Sequence, residues 1–215
     1  MAYWIWGIAA VAYLVFVGWY HNWSGPLTPK EVEGYLAKLT AQHSVVDGRN
    51  QVDTIRKFLS EDDGREFFML NLVKVAAGKV ADPKTGELKP APQVLEGYTS
   101  VFIAALMARA GHPAVAARKV GGYFDAWGVE ADPGWTIIGY MRYRSRRDLA
   151  ELATDPRFAG AHEFKFAAMP STYSFPTQPI MLTLMKPTYF VGLILALLAA
   201  LAHLGFLTLF RSPLQ

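Results

Sequence analysis

The sequence predicts one α+β domain between two membrane-spanning helices. Three observations lead to this prediction: an uncharged apolar run near each end, charged residues confined to the middle, and alternating strand-like and helix-like patterns between the two runs. Hydrophobic residues make up 52% of the 215 residues and charged ones 18%. The length fits one domain with small additions, so the distribution of charge is more informative than its average.

The first apolar run covers residues 1–20 and contains no charged side chain. At about 1.5 Å rise per residue, such a helix matches a hydrocarbon core of about 30 Å. Aromatic residues at both ends, including Trp4 and Trp19, are typical of side chains at headgroup depth. A cleaved signal peptide would need a basic leader, a shorter apolar stretch and a small-residue cleavage site, and none of them is evident. We therefore expect residues 1–23 to form a retained transmembrane helix.

The second apolar run lies between Pro187 and Arg211 and contains no formal charge. It predicts a transmembrane helix over residues 187–210. Because two spans return the chain to its starting side, everything between them is expected on one side of the membrane. Lysines near the spans are slightly more numerous on that side, which by the positive-inside rule favours a cytoplasmic domain.

A histidine stands inside the second span. His203 lies roughly two turns from its C-terminal end, where a polar ring needs a partner. A hydrogen bond to another helix or snorkelling to the interface is one interpretation, and a contact inside a larger complex is another. Because Ala199 lies four positions earlier, the pattern also resembles helices that ligate a pigment or haem; no other cofactor is predicted. Gly192, Ala196 and Ala200 have the spacing that lets another helix approach closely.

Between the spans, residues 24–64 predict a helical connector and residues 65–180 a sheet-containing domain. Thr28, Pro29 and Glu31 form a helix-start signature of N-cap, proline at the first helical position and capping-box glutamate. A second, amphipathic helix follows the first. The connector helices are expected over residues 29–42 and 52–60.

The elements of the domain follow in the order strand, helix, strand, strand, helix, strand. The first strand segment is apolar at odd and even positions, which indicates a central strand covered on both faces. The order predicts a ferredoxin-like split βαβ arrangement, in which helices cover one face of an antiparallel sheet. The strands are expected at residues 65–75, 115–127, 135–144 and 171–175, the helices at 93–110, 146–153 and 156–167, and a loop or irregular hairpin at 77–92.

Three segments resemble a known family: MLNLVKV at residues 69–75, KVGGYFDAWG at 119–128 and WTIIGYMRYRSRRDLAELATDPRF at 135–158. In order and spacing they are similar to the signatures of an uncharacterised bacterial family in the dimeric α+β barrel superfamily, which also holds antibiotic-biosynthesis monooxygenases and stress-responsive barrel proteins. The resemblance covers residues 65–178. It implies that the open face of one sheet packs on a second copy and closes a barrel, whose interior holds the substrate in related enzymes. With the two spans, it implies a multi-pass protein of the bacterial inner membrane.

Candidate ligand-binding residues lie on the predicted strands. Tyr140 and Arg142 alternate on one face of the third strand and, with Arg144, can line the rim of a pocket for an anionic or aromatic ligand. Solvated arginines at a strand end are the alternative. Asn71 and Lys74 are expected on opposite faces of the first strand, so at most one points into a barrel. A buried Asn71 with satisfied hydrogen bonds is the alternative there.

Several other chemistries find little support. The chain has no cysteine, which excludes disulfides, thiolate catalysis and the commonest zinc sites. His112 and His162 lack a second histidine or carboxylate at ligand spacing, so no metal site is predicted. Asp125 beside Trp127 can act as a base in cofactor-independent oxygen chemistry, although a lone strand carboxylate usually faces water. Acidic and basic residues are interleaved, as on a solvated surface, so no nucleic-acid binding is predicted.

Two functions follow as hypotheses. The first is a non-catalytic accessory or interaction subunit of an integral membrane complex. The second is a membrane-tethered small-molecule-binding protein, or a cofactor-independent monooxygenase-like enzyme, that acts on an apolar substrate. The expected partners are the lipid bilayer and either other membrane subunits or a second copy bound through the barrel sheet. Arg144, Arg146 and Arg147 form a basic cluster that can contact lipid headgroups or a partner and is otherwise a solvated helix start.

Overall fold

The structure is a computed structural model that describes residues 3–41, 52–130, 132–158, 160–180 and 186–209. The chain divides into two compact units, Ser24–Pro179 and the pair Met1–Trp23 with Ile180–Gln215. Residues 1, 2, 42, 159 and 210, which belong to predicted helices, lie outside the described residues. The elements in chain order are α1 Tyr3–Tyr20, α2 Pro29–Ala41, α3 Val52–Ser60, β1 Phe67–Lys74, β2 Lys79–Ala81, β3 Leu88–Pro90, α4 Ala91–Ala108, β4 His112–Arg118, β5 Ile137–Tyr143, α5 Arg146–Ala153, a 3₁₀ turn Pro156–Phe158, α6 His162–Ala168, β6 Ser171–Thr177 and α7 Pro187–Leu209.

The two terminal helices form one unit. Helices α1 (18 residues) and α7 (23 residues) are both long and apolar enough to cross a membrane, which confirms the prediction at that level. Ile5 and Ala9 of α1 pack against Ala199 and Phe206 of α7. Most other apolar side chains of the pair are exposed; Leu197, for example, is 60% exposed. The helices therefore bury only a narrow seam against each other.

Small residues lie on the α1 side of α7. A Cβ atom added to Gly192 would stand 3.1 Å from the ring of Tyr13, so this position accepts the aromatic side chain because it has none of its own. Ala199 is buried, whereas Ala196 is exposed. The predicted close approach thus involves Gly192 and Ala199 within this unit, and Ala196 points elsewhere.

The second unit contains a four-stranded sheet with the order β4-β5-β1-β6. Each neighbouring pair is antiparallel, and the β1–β5 register runs without interruption from Phe67 opposite Tyr143 to Val73 opposite Ile137. Strand β1 is central, as its continuous apolar pattern predicts. The α+β class and the antiparallel sheet are thereby confirmed.

Helices cover one face of this sheet. Alternate residues of a strand share a face, and Phe67 and Tyr143 belong to the helix-covered one. Their rings stack with centroids 5.1 Å apart, and both pack with Leu106 of α4 and Leu152 of α5 in one buried cluster. This cluster anchors α4 and α5 to the sheet.

The segment predicted as a connector belongs to the same compact unit as the sheet. Val32 and Leu36 of α2 and Leu59 of α3 form a buried cluster with Ala150 of α5. The predicted capping box is confirmed, since the Thr28 backbone amide donates to Glu31 Oε2 at 2.8 Å. Helices α2 and α3 thus extend the domain core through α5.

The loop or irregular hairpin expected at 77–92 is confirmed as a short hairpin, β2–β3, in which Lys89 forms an ion pair with Asp82 at 2.9 Å. Two other predicted elements differ from the observed ones. The second strand was expected over residues 115–127, but β4 is His112–Arg118 and ends where its pairing with β5 ends. The expected helix at 156–167 is divided into a 3₁₀ turn and the shorter α6.

Candidate functional site

The face of the sheet opposite α4 and α5 is partly uncovered. Val115, Ile138, Tyr173 and Phe175, one or more from each of three strands, are 40–61% exposed there. At one end this face is closed, because Phe68 is only 5% exposed. We call the uncovered part the open face; the strand registers assign to it Leu70, Leu72, Val115, Ala117, Ile138, Tyr140, Tyr173 and Phe175.

Tyr140 crosses the open face toward β6. Its ring stacks on Phe68 with centroids 5.2 Å apart, and its hydroxyl lies 2.6 Å from Thr177 Oγ1. The Thr177 hydroxyl donates to the Phe68 carbonyl at 2.9 Å. Since the Thr177 hydroxyl has only one proton and donates it to Phe68, the Tyr140 hydroxyl is the donor in the hydrogen bond between Tyr140 and Thr177. Tyr140 therefore ties three strands together through a hydrogen-bonded chain.

Arg142 is buried, with 1% of its surface exposed. Its Nη2 and Nε atoms donate to Glu66 Oε2 at 2.8 and 3.0 Å, and its Nη1 donates to the Ala110 carbonyl at 2.5 Å. The expectation of a pocket-rim or solvated arginine is therefore wrong. The guanidinium is held inside because a carboxylate and a carbonyl satisfy it there.

The basic cluster at the start of α5 is paired within the unit. Arg144 donates to both carboxylate oxygens of Asp148, at 3.0 and 2.6 Å, and Arg147 forms an ion pair with Glu31. The hydrogen bond from Arg147, with others from Thr28, lowers the pKa of Glu31 to about 2. Arg144 keeps 25% of its side chain exposed beside Asp148, so its position at a pocket rim and the contact of this cluster with lipid or a partner stay predictions.

Arg146, the third member of that cluster, is also held by the domain. Its guanidinium lies 4.5 Å from the centre of the Phe58 ring and 3.8 Å from Asp62. A cation over an aromatic face is attracted by the ring quadrupole. Arg146 therefore fastens α5 to α3 and the turn that follows it.

Asn71 and Lys74 lie on opposite faces of β1, as the strand alternation predicts, because the β1 pairing is regular. The Asn71 amide donates to the Met69 carbonyl at 3.0 Å and accepts from Ser174 Oγ at 2.8 Å. Both ends of this amide are thus engaged inside the sheet. The hydrogen bonding agrees with the alternative interpretation, but Asn71 is half-buried instead of buried, and its role in ligand binding stays a prediction.

His203 accepts a hydrogen bond across the helix pair. Trp6 Nε1 lies 3.2 Å from His203 Nδ1. An indole N–H only donates, so the Nδ1 atom supplies the lone pair and the neutral ring carries its hydrogen on Nε2. In that tautomer neither ring nitrogen has a lone pair left for a metal. The geometry supports the helix–helix interpretation of His203, and cofactor ligation stays a prediction.

The remaining sequence candidates do not converge on one site. His112 Nδ1 lies 3.1 Å from the Pro113 carbonyl, and the His162 ring lies 5.9 Å from the Tyr98 ring. Asp125 is exposed and follows the end of β4 instead of lying on it. Among the described residues, no group of three or more His, Asp or Glu side chains is arranged to hold a metal ion.

A long segment between β4 and β5 was missed as a surface feature by the sequence patterns. We call the described residues 120–130 and 132–135 the arm. Four of its apolar side chains point into solvent: Val120 is 92%, Phe124 101%, Trp127 84% and Val129 71% exposed. The signal that could have revealed it is the pair Gly121-Gly122 before aromatic residues that do not alternate with polar ones.

Comparisons with known proteins show a fold and no family. No family model matches the sequence, and no curated protein matches it. The crystal structure of methylated RPA0582 protein aligns with a TM-score of 0.51 and 18% identity, over 63% of this chain and 96% of that chain. The crystal structure of RPA0582 from Rhodopseudomonas palustris, a protein of unknown function, aligns with a TM-score of 0.51 and 17% identity, over 62% and 96%.

These similarities extend to the fold alone, because both identities are below a quarter. The aligned chains are covered almost completely, whereas more than a third of this chain has no counterpart in them. The α+β fold is therefore shared with solved structures. Membership in the dimeric barrel family stays a prediction.

Proposed function

We propose that this protein is a membrane-anchored, non-catalytic interaction subunit whose sheet binds through its open face. The observation that carries the proposal is the exposure of Val115, Ile138, Tyr173 and Phe175 on one contiguous sheet surface. Fully burying a side chain of this kind stabilises by about 1.5–3 kcal/mol. A clustered apolar face on a folded domain marks an interaction site more often than a scattered apolar residue does.

The partner proposed for the open face is a second copy of the chain. Two identical apolar sheet faces are self-complementary under two-fold symmetry, and stacked sheets lie about 10 Å apart with their side chains interdigitated. The closed product is the ferredoxin-like dimeric barrel that the sequence resemblance implies. The similarity to RPA0582 in fold is compatible with the same sheet architecture.

The chemistry of the four candidate ligand-binding residues supports interaction over catalysis. The polar groups of Asn71 and Tyr140 form hydrogen bonds within the sheet. The guanidinium groups of Arg142 and Arg144 form ion pairs with Glu66 and Asp148. A catalytic or binding residue needs polar capacity directed at the ligand. The hydrogen bonds described here instead hold the domain together.

The anchors are proposed to place the domain in a larger membrane assembly. Helices α1 and α7 would span the inner membrane, with the domain in the cytoplasm. Within their unit, Ala196 is exposed while Gly192 and Ala199 are used in the α1–α7 seam. A small residue on a free side of a spanning helix lets a further helix approach, so other membrane subunits are the proposed partners there.

The test is purification of the tagged full-length chain in mild detergent, followed by mass spectrometry of what co-purifies. The proposal expects two copies of this chain with at least one other stoichiometric membrane polypeptide. The Tyr173→Lys/Phe175→Lys variant should separate the two copies, whereas Ser100→Lys on α4 should not. A lone homodimer would contradict the accessory role, and a monodisperse protein in detergent-free buffer would contradict the anchors.

A further inference from the structure

We infer that the arm enters the interfacial layer of the bilayer that holds α1 and α7, on the side of the membrane where the domain lies. This inference rests on the proposed membrane anchors, and it goes beyond them because it gives the domain a lipid contact of its own. The partner of the arm is phospholipid at headgroup depth. The open face takes no part in this contact, since the proposed second copy covers it.

The tip of the arm, residues 124–129, offers apolar side chains to solvent. Phe124 is 101%, Trp127 84% and Val129 71% exposed. Apolar surface is unfavourable in water, and several large apolar side chains exposed in one segment mark an interaction site. What covers the tip therefore lies outside the described domain.

The two ends of the arm are held by contacts with the sheet and with each other's neighbours. The Lys119 amide donates to the Thr136 carbonyl at 2.9 Å, and the Lys119 ammonium lies 3.8 Å from the centre of the Tyr123 ring. Near the other end, a Cβ atom added to Gly134 would stand 2.7 Å from Lys74 Nζ, so this ammonium lies against the backbone of the arm. These contacts fix the base of the arm and leave its tip uncovered.

The charges of the arm and its base balance. Three cations and three anions lie here: Lys74, Arg118, Lys119, Asp125, Glu130 and Asp132. Lys119 and Asp132 form an ion pair at 3.6 Å. Because neither sign is in excess, an anionic membrane surface neither attracts nor repels the arm strongly. The contact with lipid is therefore driven by the apolar side chains of the tip.

The residue types of the arm are those of a membrane interface. Tryptophan and tyrosine are enriched at headgroup depth because an apolar ring and a polar edge are both satisfied there. Trp19 and Trp23, at the end of α1 that leads into the domain, are exposed as well. The proposed anchor thus presents the same side chain as Trp127 to this layer, on the side of the membrane where the domain lies.

An acidic residue limits the depth of the arm. Asp125 lies between Phe124 and Trp127 in sequence and is exposed. An ionised carboxylate is costly inside the hydrocarbon core, so the backbone of the tip stays among the headgroups while the apolar side chains enter below them. We expect the depth of interfacial helices, whose apolar faces reach about 5–10 Å into the boundary between headgroups and acyl chains.

Short segments join the domain to both proposed spans. Residues 21–28 connect the end of α1 with the start of α2, and residues 178–186 connect the end of β6 with the start of α7. A surface that is linked to its site through such short segments has a high effective concentration. The bilayer is therefore favoured over a partner that is free in solution.

The chain has no cysteine, so single thiols in the full-length protein test this contact. Val129→Cys in the arm, Leu197→Cys in α7 and Ser100→Cys in α4 are each labelled with a fluorophore and reconstituted in nanodiscs of phosphatidylethanolamine and phosphatidylglycerol. Lipids that carry a nitroxide at the headgroup or deep in the acyl chain quench a fluorophore at the same depth. We expect shallow nitroxides to quench Val129→Cys, deep ones to quench Leu197→Cys, and neither to quench Ser100→Cys.

Two further variants show whether the aromatic side chains drive the contact. Phe124→Ser/Trp127→Ser should lose the shallow quenching at Val129→Cys, whereas Phe124→Trp/Trp127→Phe should keep it, and both should keep the melting temperature of the unsubstituted protein. A larger fraction of phosphatidylglycerol should leave the quenching unchanged, because the charges balance.

The remaining outcomes overturn the inference in distinguishable ways. If Leu197→Cys is quenched and Val129→Cys is not, the lipid contact of the arm fails and the anchors stand. If neither is quenched, the anchors fail and the inference fails with them. If the label at Val129→Cys is shielded from lipid and from an aqueous quencher only while another polypeptide co-purifies, the arm binds that protein instead of lipid.

Discussion

The Arg142 guanidinium is buried against the Glu66 carboxylate, with Nη2 and Nε 2.8 and 3.0 Å from the same oxygen. Its third contact is the carbonyl of Ala110, which has a φ of 56° in the left-handed region. Such a backbone conformation is costly for a residue with a Cβ atom. The turn between α4 and β4 directs the Ala110 carbonyl into the interior, and Arg142 satisfies this carbonyl with a hydrogen bond.

Removing the Glu66 carboxylate should destabilise the domain strongly. Arg142 is 1% exposed, so Glu66→Ala leaves a buried cation without its counter-charge, and the expected loss of unfolding free energy is about 3–5 kcal/mol. Unfolding of the purified protein followed by near-ultraviolet circular dichroism measures it. The Glu66→Leu/Arg142→Met variant, which removes both charges, should recover part of the loss. Equal losses in the two variants would contradict the role of the ion pair.

Two helical glycines should respond to alanine with opposite signs. In an open helix, Gly→Ala stabilises by about 1 kcal/mol, and Gly34 in α2 has nothing within 4 Å of an added Cβ atom. At Gly97 in α4 the same Cβ atom would stand 2.6 Å from the Phe164 ring. We therefore expect Gly34→Ala to raise the melting temperature and Gly97→Ala to lower it. Stabilisation by Gly97→Ala would show that α4 and α6 are not packed as described.

The Glu31–Arg147 pair should be sensitive to acid. The pKa of Glu31 is lowered from its ordinary value of 4.5 to about 2, so the folded state favours the ionised carboxylate. Its contribution to stability is present above about pH 4.5 and is lost as the pH falls toward 2. The stability difference between the unsubstituted protein and Glu31→Gln should therefore shrink over that window. Glu96→Gln, on an exposed part of α4, is the control; a difference that is constant with pH would contradict the prediction.

The Trp6–His203 hydrogen bond should couple α1 to α7. A double-mutant cycle with Trp6→Phe and His203→Leu is expected to give a coupling of about 0.6–2 kcal/mol, the range for polar contacts between helices in membranes. Thermal stability in detergent measures each variant. A coupling energy near zero would show that this hydrogen bond does not stabilise the helix pair. A visible absorption band that His203→Leu abolishes would instead assign the histidine to a pigment or haem.

Local signals explain what the sequence predicted well. The bounds of α3 and α5 agree with the predicted 52–60 and 146–153, because a cap and an amphipathic pattern are encoded within a few neighbouring residues. Ser145, for example, caps α5 by accepting from the Asp148 amide at 3.1 Å. The two apolar runs are equally local, so their helical form followed from length and composition.

Long-range pairing explains what could not be predicted. Arg142 and Glu66 are 76 positions apart, and no periodic pattern connects them, so the arginine was expected at a rim. Strand β4 ends at Arg118 because its partner strand ends there, whereas the apolar composition of residues 119–127 continues past that point. The burial of a polar side chain and the end of a strand are both decided by segments distant in sequence.

The central claim is that a partner covers the open face, and the labelling rate of one cysteine in native membranes tests it most directly. Ile138 is 40% exposed in a single chain, so an uncovered Ile138→Cys thiol would react with maleimide about as fast as the exposed Ser100→Cys control. We predict that Ile138→Cys reacts at least about tenfold more slowly in the membrane, where docking excludes water from an interface core, and that denaturation equalises the two rates. Equal rates before denaturation would contradict the account.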